Sequence, residues 1–495
     1  MRNTKLIFIL SSLSADELKE FGKYLSSPLF NTNKTIIRFF NLLKNHYPEY
    51  TSRALTMEHM HKKIFPNKKY NPAVIRNLIS EMTKISEDFL AYLEFNKDIF
   101  TRKKYLLTQL DRKNIERLFR KNLEESYQYL DSSTVRDEFY YFNKYQLQNI
   151  ERNFYSNKIL AGEKESVDKI LPEMINNLTN AFIITFLKEY FRYTNVKEFF
   201  EIEYRHKFFD VLMKHISDER ENYKETPLIF ILYIFLSIFA ENRNEELAPE
   251  LKDMIDINKE QMNWSYYQDF YIELYNYYKK KQLLGDKKYG RKSMELIKEM
   301  LEKKIFIHTG GYMTAQTFTN IVHAAVRENE LEWAENFMNE YRSKLPSLHR
   351  NNAYTYNSAL VYLKKGLLSG SKAGKQKFLG LALEYLAKVK NDDYLYMLRI
   401  KNMQIHIYCE LREFETAKNV IAGYKHYLSK KINIPAEMRE RYSNYIMSAK
   451  DLIRLSLCYD GYALQQLKKK INETKLIEYK GWLLKKIEEI EKNNK

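Results

Sequence analysis

The feature that most constrains how this chain folds is how rarely a turn-forming residue interrupts it. Only 13 glycines and 9 prolines occur in 495 residues, too few for the many tight turns of an all-β fold, whereas Leu, Glu, Lys and Ile recur at helical spacing. Pro72, Pro227 and Pro249 each follow a residue suited to cap a helix, where the first turn has no N–H to lose. We therefore predict an all-α fold.

The length of the chain predicts more than one module, because a single hydrophobic core rarely extends over 495 residues. We expect an N-terminal helical module at 1–95 and a middle helical region at 96–260. Degenerate helical repeats with C-terminal capping helices follow at 261–495. We expect helices throughout all three regions.

Several amphipathic helices make up the predicted N-terminal module. A capping box, Ser14 to Glu17, opens one helix, and a later, long helix begins after the cap Asn71. Apolar residues on this long helix alternate steps of three and four, which is typical of a seam packed against neighbouring helices. They are Ile75, Leu78, Met82, Ile85, Phe89 and Tyr92.

The same module carries a resemblance to known proteins. The segments LSADELKEFGKYLSSPLFNTN, FPNKKYN and LISEMTKISEDFL resemble the opening module of long helical proteins of unassigned function from Bacteroidetes-type bacteria. The resemblance covers roughly the first hundred residues and implies a bacterial, cytoplasmic protein. It supplies no catalytic residue and no function.

From about residue 264 the pattern predicts helices in pairs: 266–281 with 293–304, 318–327 with 331–341, 354–365 with 378–389, and 394–411 with 414–428. Small residues recur early in the second helix of each pair, and the last interval, from Ala382 to Ala417, is 35 residues (417 minus 382). This is close to the tetratricopeptide period of about 34. The preceding interval is longer, and we assign the excess to an insertion, GLLSGSKAGKQKF, between helices.

The register of these pairs also resembles tetratricopeptide repeats. Residues that match the motif positions are Phe318, Ile321, Val322, Ala325, Ala334, Met338 and Pro346, with Tyr408 and Ala417 in the last pair. Val322 and Ile405 stand where the motif has glycine, so the repeats are degenerate. The resemblance implies an α-solenoid of antiparallel helix pairs and a role in binding other proteins.

A formal charge of +17 favours nucleic acid, acidic proteins or an anionic membrane as partners. The segment FPNKKYNPAVIRNLISEMTK fits a helix-turn-helix reader, whose second helix places polar and basic residues toward the bases. Glu81, Glu87 and Asp88 on the same helix would repel phosphates, so a capped helical hairpin is the alternative. The candidate anion or nucleic-acid contacts are Lys68, Lys69, Arg76, Asn77, Ser80 and Lys84.

A second basic stripe follows in DRKNIERLFRKNLEE. Lys113, Arg117, Arg120 and Lys121 could contact phosphates or an acidic partner. Glu116 stands four residues before Arg120, a spacing that favours an ion pair on a solvated helix face instead.

A tyrosine stripe is the candidate partner surface. Tyr267, Tyr271, Tyr275 and Tyr278 recur at steps of four, four and three, and tyrosine gives a binding surface both contact area and a hydroxyl. An adjacent apolar stripe includes Phe270. The alternative is that long repeat helices bury both stripes between neighbours.

The sequence nominates no catalytic residue, no cofactor and no metal site, so we expect a non-enzymatic protein. His406, Cys409 and Glu410 share a helix face, but they fit a packed histidine and thiol better than metal ligands. The segment 370–376, GSKAGKQ, lacks the Ser or Thr that follows the lysine of a phosphate-binding loop. We interpret it as a flexible basic loop.

The apolar run PLIFILYIFLSIFA is shorter than the roughly 20 residues that a membrane span needs. We interpret it as a helix buried on all sides and expect no integral membrane segment. Cys409 and Cys458 are the only cysteines, which fits a reducing cytoplasm. The leading hypothesis is thus a cytoplasmic α-solenoid scaffold for a protein or peptide partner. The alternative is a nucleic-acid-binding protein, and the oligomeric state stays open.

Overall fold

The structure, a computed structural model, describes residues 1, 3–159, 167–200, 204, 206–241, 248–283, 285–308, 310–390, 394–430 and 434–494. Over these residues the chain forms 24 α-helices and no β-strand, which confirms the predicted all-α class. Two compact units divide the chain, Met1–Asn263 and Trp264–Lys495. The second begins close to residue 261, where the repeat region was predicted to start.

The first unit contains helices α1 to α13 and a short 3₁₀-helix, Lys259–Gln261. The α-helices are α1 (Lys5–Ser12), α2 (Ala15–Ser26), α3 (Lys34–Lys44), α4 (Met57–Ile64), α5 (Pro72–Lys97), α6 (Ile99–Arg112), α7 (Glu116–Asp131), α8 (Glu138–Ile159), α9 (Val167–Phe200), α10 (Lys207–Asp218), α11 (Arg220–Tyr223), α12 (Pro227–Glu241) and α13 (Ala248–Ile257). Parts of the predicted middle region, 160–166, 201–203, 205 and 242–247, lie outside the described residues.

Local signals in the sequence set the ends of these helices. The Ser14 side chain accepts from the Glu17 N–H at 3.2 Å, and the Glu17 carboxylate accepts from the Ser14 N–H at 2.8 Å. This is the predicted capping box at the start of α2. Asn71 caps α5 in the same way, accepting from the Ala73 N–H at 2.9 Å, with Pro72 in the first turn.

Two hydrophobic cores follow one another along the first unit. One is built by α1 to α5, where Phe21 packs against Phe40 and Phe89 at ring distances of 5.2 and 5.1 Å. The other is built by α6 to α8, where the rings of Phe119 and Phe154 stack at 3.9 Å. The predicted boundary at residue 95 falls between them. Four of the six predicted seam residues on α5 are buried and the other two are partly buried.

The apolar run after Pro227 forms α12, in which every residue from Leu228 to Ile238 is buried. The prediction of a helix buried on all sides is confirmed over these residues. Among the described residues, one helical stretch, Ile170–Thr194 in α9, is long and apolar enough to cross a membrane, with mean hydropathy 1.2. Core helices pass the same test, and α9 packs against α8 and α12, so no clear membrane-spanning segment results.

The second unit contains α14 to α24 and a short 3₁₀-helix, Arg342–Lys344. The α-helices are α14 (Trp264–Leu283), α15 (Lys288–Glu302), α16 (Ala315–Arg327), α17 (Leu331–Tyr341), α18 (Ser347–Leu368), α19 (Lys372–Ala387), α20 (Tyr394–Glu410), α21 (Phe414–Lys430), α22 (Ala436–Leu457), α23 (Gly461–Glu473) and α24 (Lys480–Asn493). The eight helices predicted as four pairs are all present. In each pair the second helix packs against the first.

The prediction of a flexible loop over 370–376 is wrong for most of that segment. Helix α18 runs to Leu368 and α19 begins at Lys372, so the extra residues lengthen two helices instead of forming a flexible basic loop over 370–376. Ser371 caps α19 by accepting from the Gly374 N–H at 3.0 Å. Gly366 allows close packing, because a Cβ there would lie 2.8 Å from the Leu379 side chain.

The core of the second unit uses the residues that carry the repeat register. Phe318, Ile321, Val322 and Ala325 of α16 are at most 2% exposed, and they pack in one cluster with Ala334 of α17. The small residues of the later pairs, Ala382 and Ala417, are fully buried as well. One face of each first helix is therefore committed to the core. Its opposite face is left to line the cavity described next.

Candidate binding cleft in the second unit

The second unit contains a cavity of about 260 Å³, which we call the cleft. Its walls come mainly from the first helices of successive pairs, α14, α16, α18 and α20, and from α22. The segment between α23 and α24 adds Glu478 and Tyr479, and α15 adds Gly290 and Ser293. The walls of the cleft therefore come from several helix pairs, and no single pair could form it alone.

Helix α16 shows why the sequence places polar groups here. Thr319, His323 and Arg327 are spaced by four residues, so they share one face of the helix. All three line the cleft. The other face carries the buried Phe318 and Val322. The amphipathic pattern that anchors the helix in the core therefore aims this stripe at the cleft.

Three cations line the cleft, one from each of three helices: Lys279 of α14, Arg327 of α16 and Arg399 of α20. None of them forms an ion pair with a carboxylate of the described residues. Arg327 donates to Gln282 Oε1 at 3.1 Å, and Arg399 donates to Gln316 Oε1 at 3.5 Å. Burial, with a smaller effect of the nearby Arg327 charge, lowers the pKa of Lys279. The three cations of the cleft are therefore not paired directly with a carboxylate among the described residues.

Two further titratable groups line the same cleft. Protein atoms around His323 desolvate it and, together with Arg399 and Arg327, lower its pKa to about 4. His323 is thus neutral at pH 7 and offers a hydrogen bond without adding charge. Burial raises the pKa of Glu478, an effect opposed by the positive charges of Arg441 and Arg399. With Glu328, which also lines the cleft, Glu478 sets two carboxylates against the three cations.

Two buried polar atoms in the cleft wall have no hydrogen-bond partner among the described residues. They are Ser293 Oγ and Asn402 Oδ1, in residues that are 4% and 2% exposed. An unpaired buried polar atom costs about 1–3 kcal/mol, so such atoms are uncommon unless something else satisfies them. Both atoms can form a hydrogen bond with a molecule in the cleft.

Gly290 lets two helices approach each other at one end of the cleft. A Cβ at this buried position would lie 2.4 Å from Glu328 Oε1 and 2.6 Å from Gln282 Nε2. These two side chains hydrogen-bond to each other, and Gln282 also accepts from Arg327. A side chain at position 290 would displace Glu328 and Gln282. The glycine therefore preserves the hydrogen bond by which Gln282 orients Arg327.

A neighbouring groove of about 380 Å³ shares Thr319 and Arg399 with the cleft. Aromatic and apolar groups form much of its lining, including Tyr312, Pro346 and Tyr396. Because two residues are common to both, cleft and groove form one continuous surface. Small-molecule pockets usually measure about 300–1,000 Å³, so the combined space has the size of a binding site.

A second group of charges in the same unit differs from the cleft, and we call it the Glu410 cluster. The Glu410 carboxylate, 3% exposed, accepts from Lys375 Nζ at 2.6 Å, Lys486 Nζ at 2.8 Å and Trp482 Nε1 at 3.0 Å. Burial alone would raise the pKa of Glu410, but these bonds outweigh it and lower the pKa to about 2. One carboxylate thus joins α19, α20 and α24.

The predicted histidine, thiol and carboxylate group lies in this cluster. His406 is buried, its ring lies 4.3 Å from that of Trp482, and burial lowers its pKa to about 4. Burial raises the pKa of the Cys409 thiol to about 12. Within the described ranges no group of three or more His, Cys, Asp or Glu side chains could hold a metal ion. The carboxylate instead holds two lysines.

The predicted tyrosine surface is divided by the structure. Tyr267 and Tyr271 are 2% and 0% exposed, and Lys303 Nζ donates to their hydroxyls at 2.8 and 2.7 Å. A partner cannot reach either ring in this conformation. Tyr275 lines the cleft, and Tyr278 is half-buried. The burial of both stripes, the alternative interpretation, therefore describes the first half of α14.

The nucleic-acid candidates of the first unit lie on its surface. Lys68 and Lys69 are in the segment between α4 and α5, and the other four, Arg76, Asn77, Ser80 and Lys84, are exposed on α5. Glu81, Glu87 and Asp88 are exposed on the same helix. Basic candidates and acidic residues are therefore exposed on the same helix, and the acidic residues would repel the phosphates of a nucleic acid.

The second basic stripe is interrupted. Lys113 follows the end of α6, and α7 begins only at Glu116, so Lys113 does not share a helix with the other three residues of the stripe. The positive φ of Asn114, 55°, produces this break. Arg120 pairs with Glu116 at 2.8 Å and also donates to the Tyr155 hydroxyl at 2.9 Å. Arg117 and Lys121 are exposed on α7.

Apart from Tyr275, the residues of the cleft were not among the sequence candidates. Lys279, Arg327, Arg399 and Asn402 lie far apart in the chain, and each one alone resembles an ordinary surface or repeat residue. A signal was present in the polar stripe of α16, which repeats at four-residue steps opposite the apolar one. Extending that register to α14 and α20 would have brought these positions together.

The chain matches no protein-family model, and comparisons with curated proteins and with solved structures likewise give no match.

Proposed function

We propose that this chain is a non-enzymatic α-solenoid scaffold with tetratricopeptide-like repeats, which binds a protein or peptide partner in the cleft of its second unit. One observation carries the proposal. The first helices of successive pairs present three cations without ion-pair partners to a common cavity, where two buried polar atoms also lack partners in the described part of the chain. A folded protein tolerates such groups where binding satisfies them.

Binding without catalysis is supported by how the lining groups are bonded. Thr319 Oγ1 accepts from Asn357 Nδ2 at 3.0 Å, and Ser293 Oγ has no partner among the described residues. Neither hydroxyl is joined to His323 or to a carboxylate, as an activated nucleophile would be. We place the protein in the cytoplasm, where its two free cysteines, Cys409 and Cys458, remain reduced.

The nucleic-acid alternative receives less support. Arg120 of the second basic stripe already pairs with Glu116, and three acidic residues share α5 with the candidate contacts. The cleft, in contrast, brings three cations from three helices into one cavity. We therefore assign partner binding to the second unit.

A large side chain placed in the cleft tests the proposal. Asn320 is exposed on α16 and lines the cleft, so Asn320→Trp should block the cavity without disturbing the core. Asn336→Trp on α17 is the matched control, because Asn336 is also exposed and lines a separate cavity, outside the cleft. The full-length variants are used as bait in a lysate of the native host, and bound proteins are quantified by mass spectrometry.

Proteins captured by the wild type should be lost with Asn320→Trp and retained with Asn336→Trp. Circular dichroism checks that both variants keep the helical content of the wild type. If Asn320→Trp captures the same proteins in the same amounts, the cleft is not the binding surface and the proposal is wrong.

A further inference from the structure

We infer that the cleft binds a phosphomonoester, held between Arg327, Arg399 and Lys279. The inference rests on the proposed function, since it names the chemical group by which the cleft would recognise its partner. Two sources share this chemistry: a small phosphorylated metabolite and a phosphorylated side chain of a protein. The experiment below separates them.

The side chains of the cleft favour an anion with several acceptor oxygens. Three cations from three different helices line the cavity together with two carboxylates, Glu328 and Glu478, and none of the three cations forms an ion pair among the described residues. A carboxylate presents only two acceptor oxygens. A phosphomonoester carries about −1.5 to −2 charge at pH 7 and presents three acceptor oxygens, which matches the number of cations.

The residue types also favour phosphate. A guanidinium donates two parallel hydrogen bonds in a fixed fork that fits phosphate oxygens, and a lysine adds a mobile point charge. The cleft contains two guanidinia and one lysine. The Arg327 guanidinium is oriented by its hydrogen bond to Gln282, which in turn bonds to Glu328. This arrangement suits a tetrahedral anion approached from several sides.

The unpartnered wall atoms suggest how the rest of the ligand is bound. Asn402 Oδ1 can only accept a hydrogen bond, so it requires a donor on the ligand. Ser293 Oγ can either donate or accept. A bare phosphate would satisfy the cations but not Asn402, whereas a phosphoserine or a phosphorylated sugar carries N–H or O–H donors next to its phosphate. The adjoining groove, with Tyr312 and Tyr396, provides space for the attached body.

Isothermal titration calorimetry of the full chain, at constant low ionic strength and pH 7.5, tests this assignment with inorganic phosphate, phosphoserine and glutamate. We expect saturable one-site binding of phosphoserine, weaker binding of inorganic phosphate, and at least tenfold weaker binding of glutamate. Equal affinity for glutamate and phosphoserine, or no saturable binding of either phosphate compound, would overturn the assignment.

Variants locate the site. Arg327→Gln and Arg399→Gln should each weaken phosphoserine binding by about tenfold or more, because each removes a charge-assisted hydrogen bond. Arg399→Lys keeps the charge but loses the fork, so its loss should be smaller. Arg291→Gln is the matched control, since Arg291 is exposed on α15 outside the cleft. An equal loss with the control would show non-specific attraction and contradict the inference.

Two further probes separate the sources. A phosphoserine peptide that binds more tightly than phosphoserine, while its unphosphorylated twin does not bind, would assign the site to a protein partner. Equal binding of peptide and free phosphoserine would assign it to a small molecule. A short single-stranded oligonucleotide without terminal phosphate that binds more tightly than either, and loses binding with Arg399→Gln, would overturn the inference in favour of nucleic acid.

The outcome remains distinct from that of the proposed function. If Asn320→Trp abolishes partner capture while no phosphate compound binds, the scaffold proposal stands and the phosphomonoester assignment fails. If phosphoserine binds and partner capture is insensitive to Asn320→Trp, the cleft is an anion site and the scaffold proposal fails.

Discussion

The cleft and the Glu410 cluster lie in the same unit and are built from similar groups. Each combines a histidine whose pKa is lowered to about 4 with basic side chains from several helices. In the Glu410 cluster one buried carboxylate accepts from two lysines and a tryptophan. In the cleft three cations have no ion-pair partner among the described residues. The cations are therefore paired with a carboxylate in the Glu410 cluster and not in the cleft, although both ring nitrogens of His406 lack a hydrogen-bond partner among the described residues.

This difference separates a structural role from a binding role. A buried charge costs several kcal/mol unless it is paired and hydrogen-bonded, and the Glu410 cluster meets that requirement within the chain. In the cleft, the cations would gain such a partner only from a bound ligand. Substitutions in the two regions should consequently change different properties: stability in the cluster, and ligand binding with little change of stability in the cleft.

The largest effect is expected from Glu410→Gln. This change keeps the shape but removes the charge, so Lys375 loses its carboxylate partner and Lys486 keeps only Glu489, at 2.6 Å. Breaking a buried ion pair in this way costs about 3–5 kcal/mol. We expect a loss of that size in the free energy of unfolding of the second unit, measured by urea titration of the full chain.

Glu437→Gln is the control for this prediction. Glu437 pairs with Arg441 at 2.8 Å, but both side chains are exposed, at 56% and 42%. Surface pairs of this kind contribute about 0–1 kcal/mol. Equal losses for the two variants would show that the Glu410 carboxylate is not the junction that the structure indicates.

The buried histidines give the next largest effect. Between about pH 6.5 and 4 the unfolded chain binds protons that the folded His406 does not, so stability falls as the pH is lowered through that window. A shift of this size corresponds to about 3 kcal/mol at pH 4. Glu273, whose pKa burial raises to about 7, acts in the opposite direction, so the wild type is compared with His406→Phe at each pH.

The free energy of unfolding of the wild type, relative to His406→Phe, should fall by about 3 kcal/mol from pH 7 to pH 4. For His323→Phe the corresponding fall should be similar, because burial and the nearby cations lower the pKa of His323 to about 4 as well. Urea titrations at several pH values provide the measurement. A pH dependence that is the same for wild type and both variants would mean that neither histidine is held neutral by its surroundings.

The two regions also show what the sequence could predict. Helix periodicity and caps gave the all-α class, the helix starts at Ser14 and Asn71, the buried run after Pro227 and the four helix pairs, because these depend on neighbours within a few residues. The insertion was misjudged: its Gly and Ser residues suggested a loop, but Ser371 caps a helix and Gly366 permits close packing. Composition alone does not separate these roles.

The cleft could not be predicted because its residues meet only through the packing of several helices. Lys279 and Arg399 are distant in the chain, and their lack of ion-pair partners is a property of the folded unit. For the tyrosine stripe, the spacing of Tyr267 and Tyr271 correctly identified a shared helix face. It did not indicate that Glu299 of α15 and Lys303, the residue after α15, would contact the hydroxyls on that face. Whether a side chain is buried or accessible depends here on contacts with other helices, which the spacing along one helix does not show.

The smallest effect on stability, and one of opposite sign, is expected in the cleft. Lys279→Met removes a partly buried cation that lies near Arg327 and lacks an ion-pair partner among the described residues, while it keeps most of the apolar stem. We expect the free energy of unfolding to stay unchanged or to rise by up to about 1 kcal/mol, because a repelling, desolvated charge is lost. Phosphoserine binding should weaken in the same variant. A loss of several kcal/mol, as for Glu410→Gln, would show that Lys279 has a structural counter-ion and that the cleft is closed in the same way as the cluster.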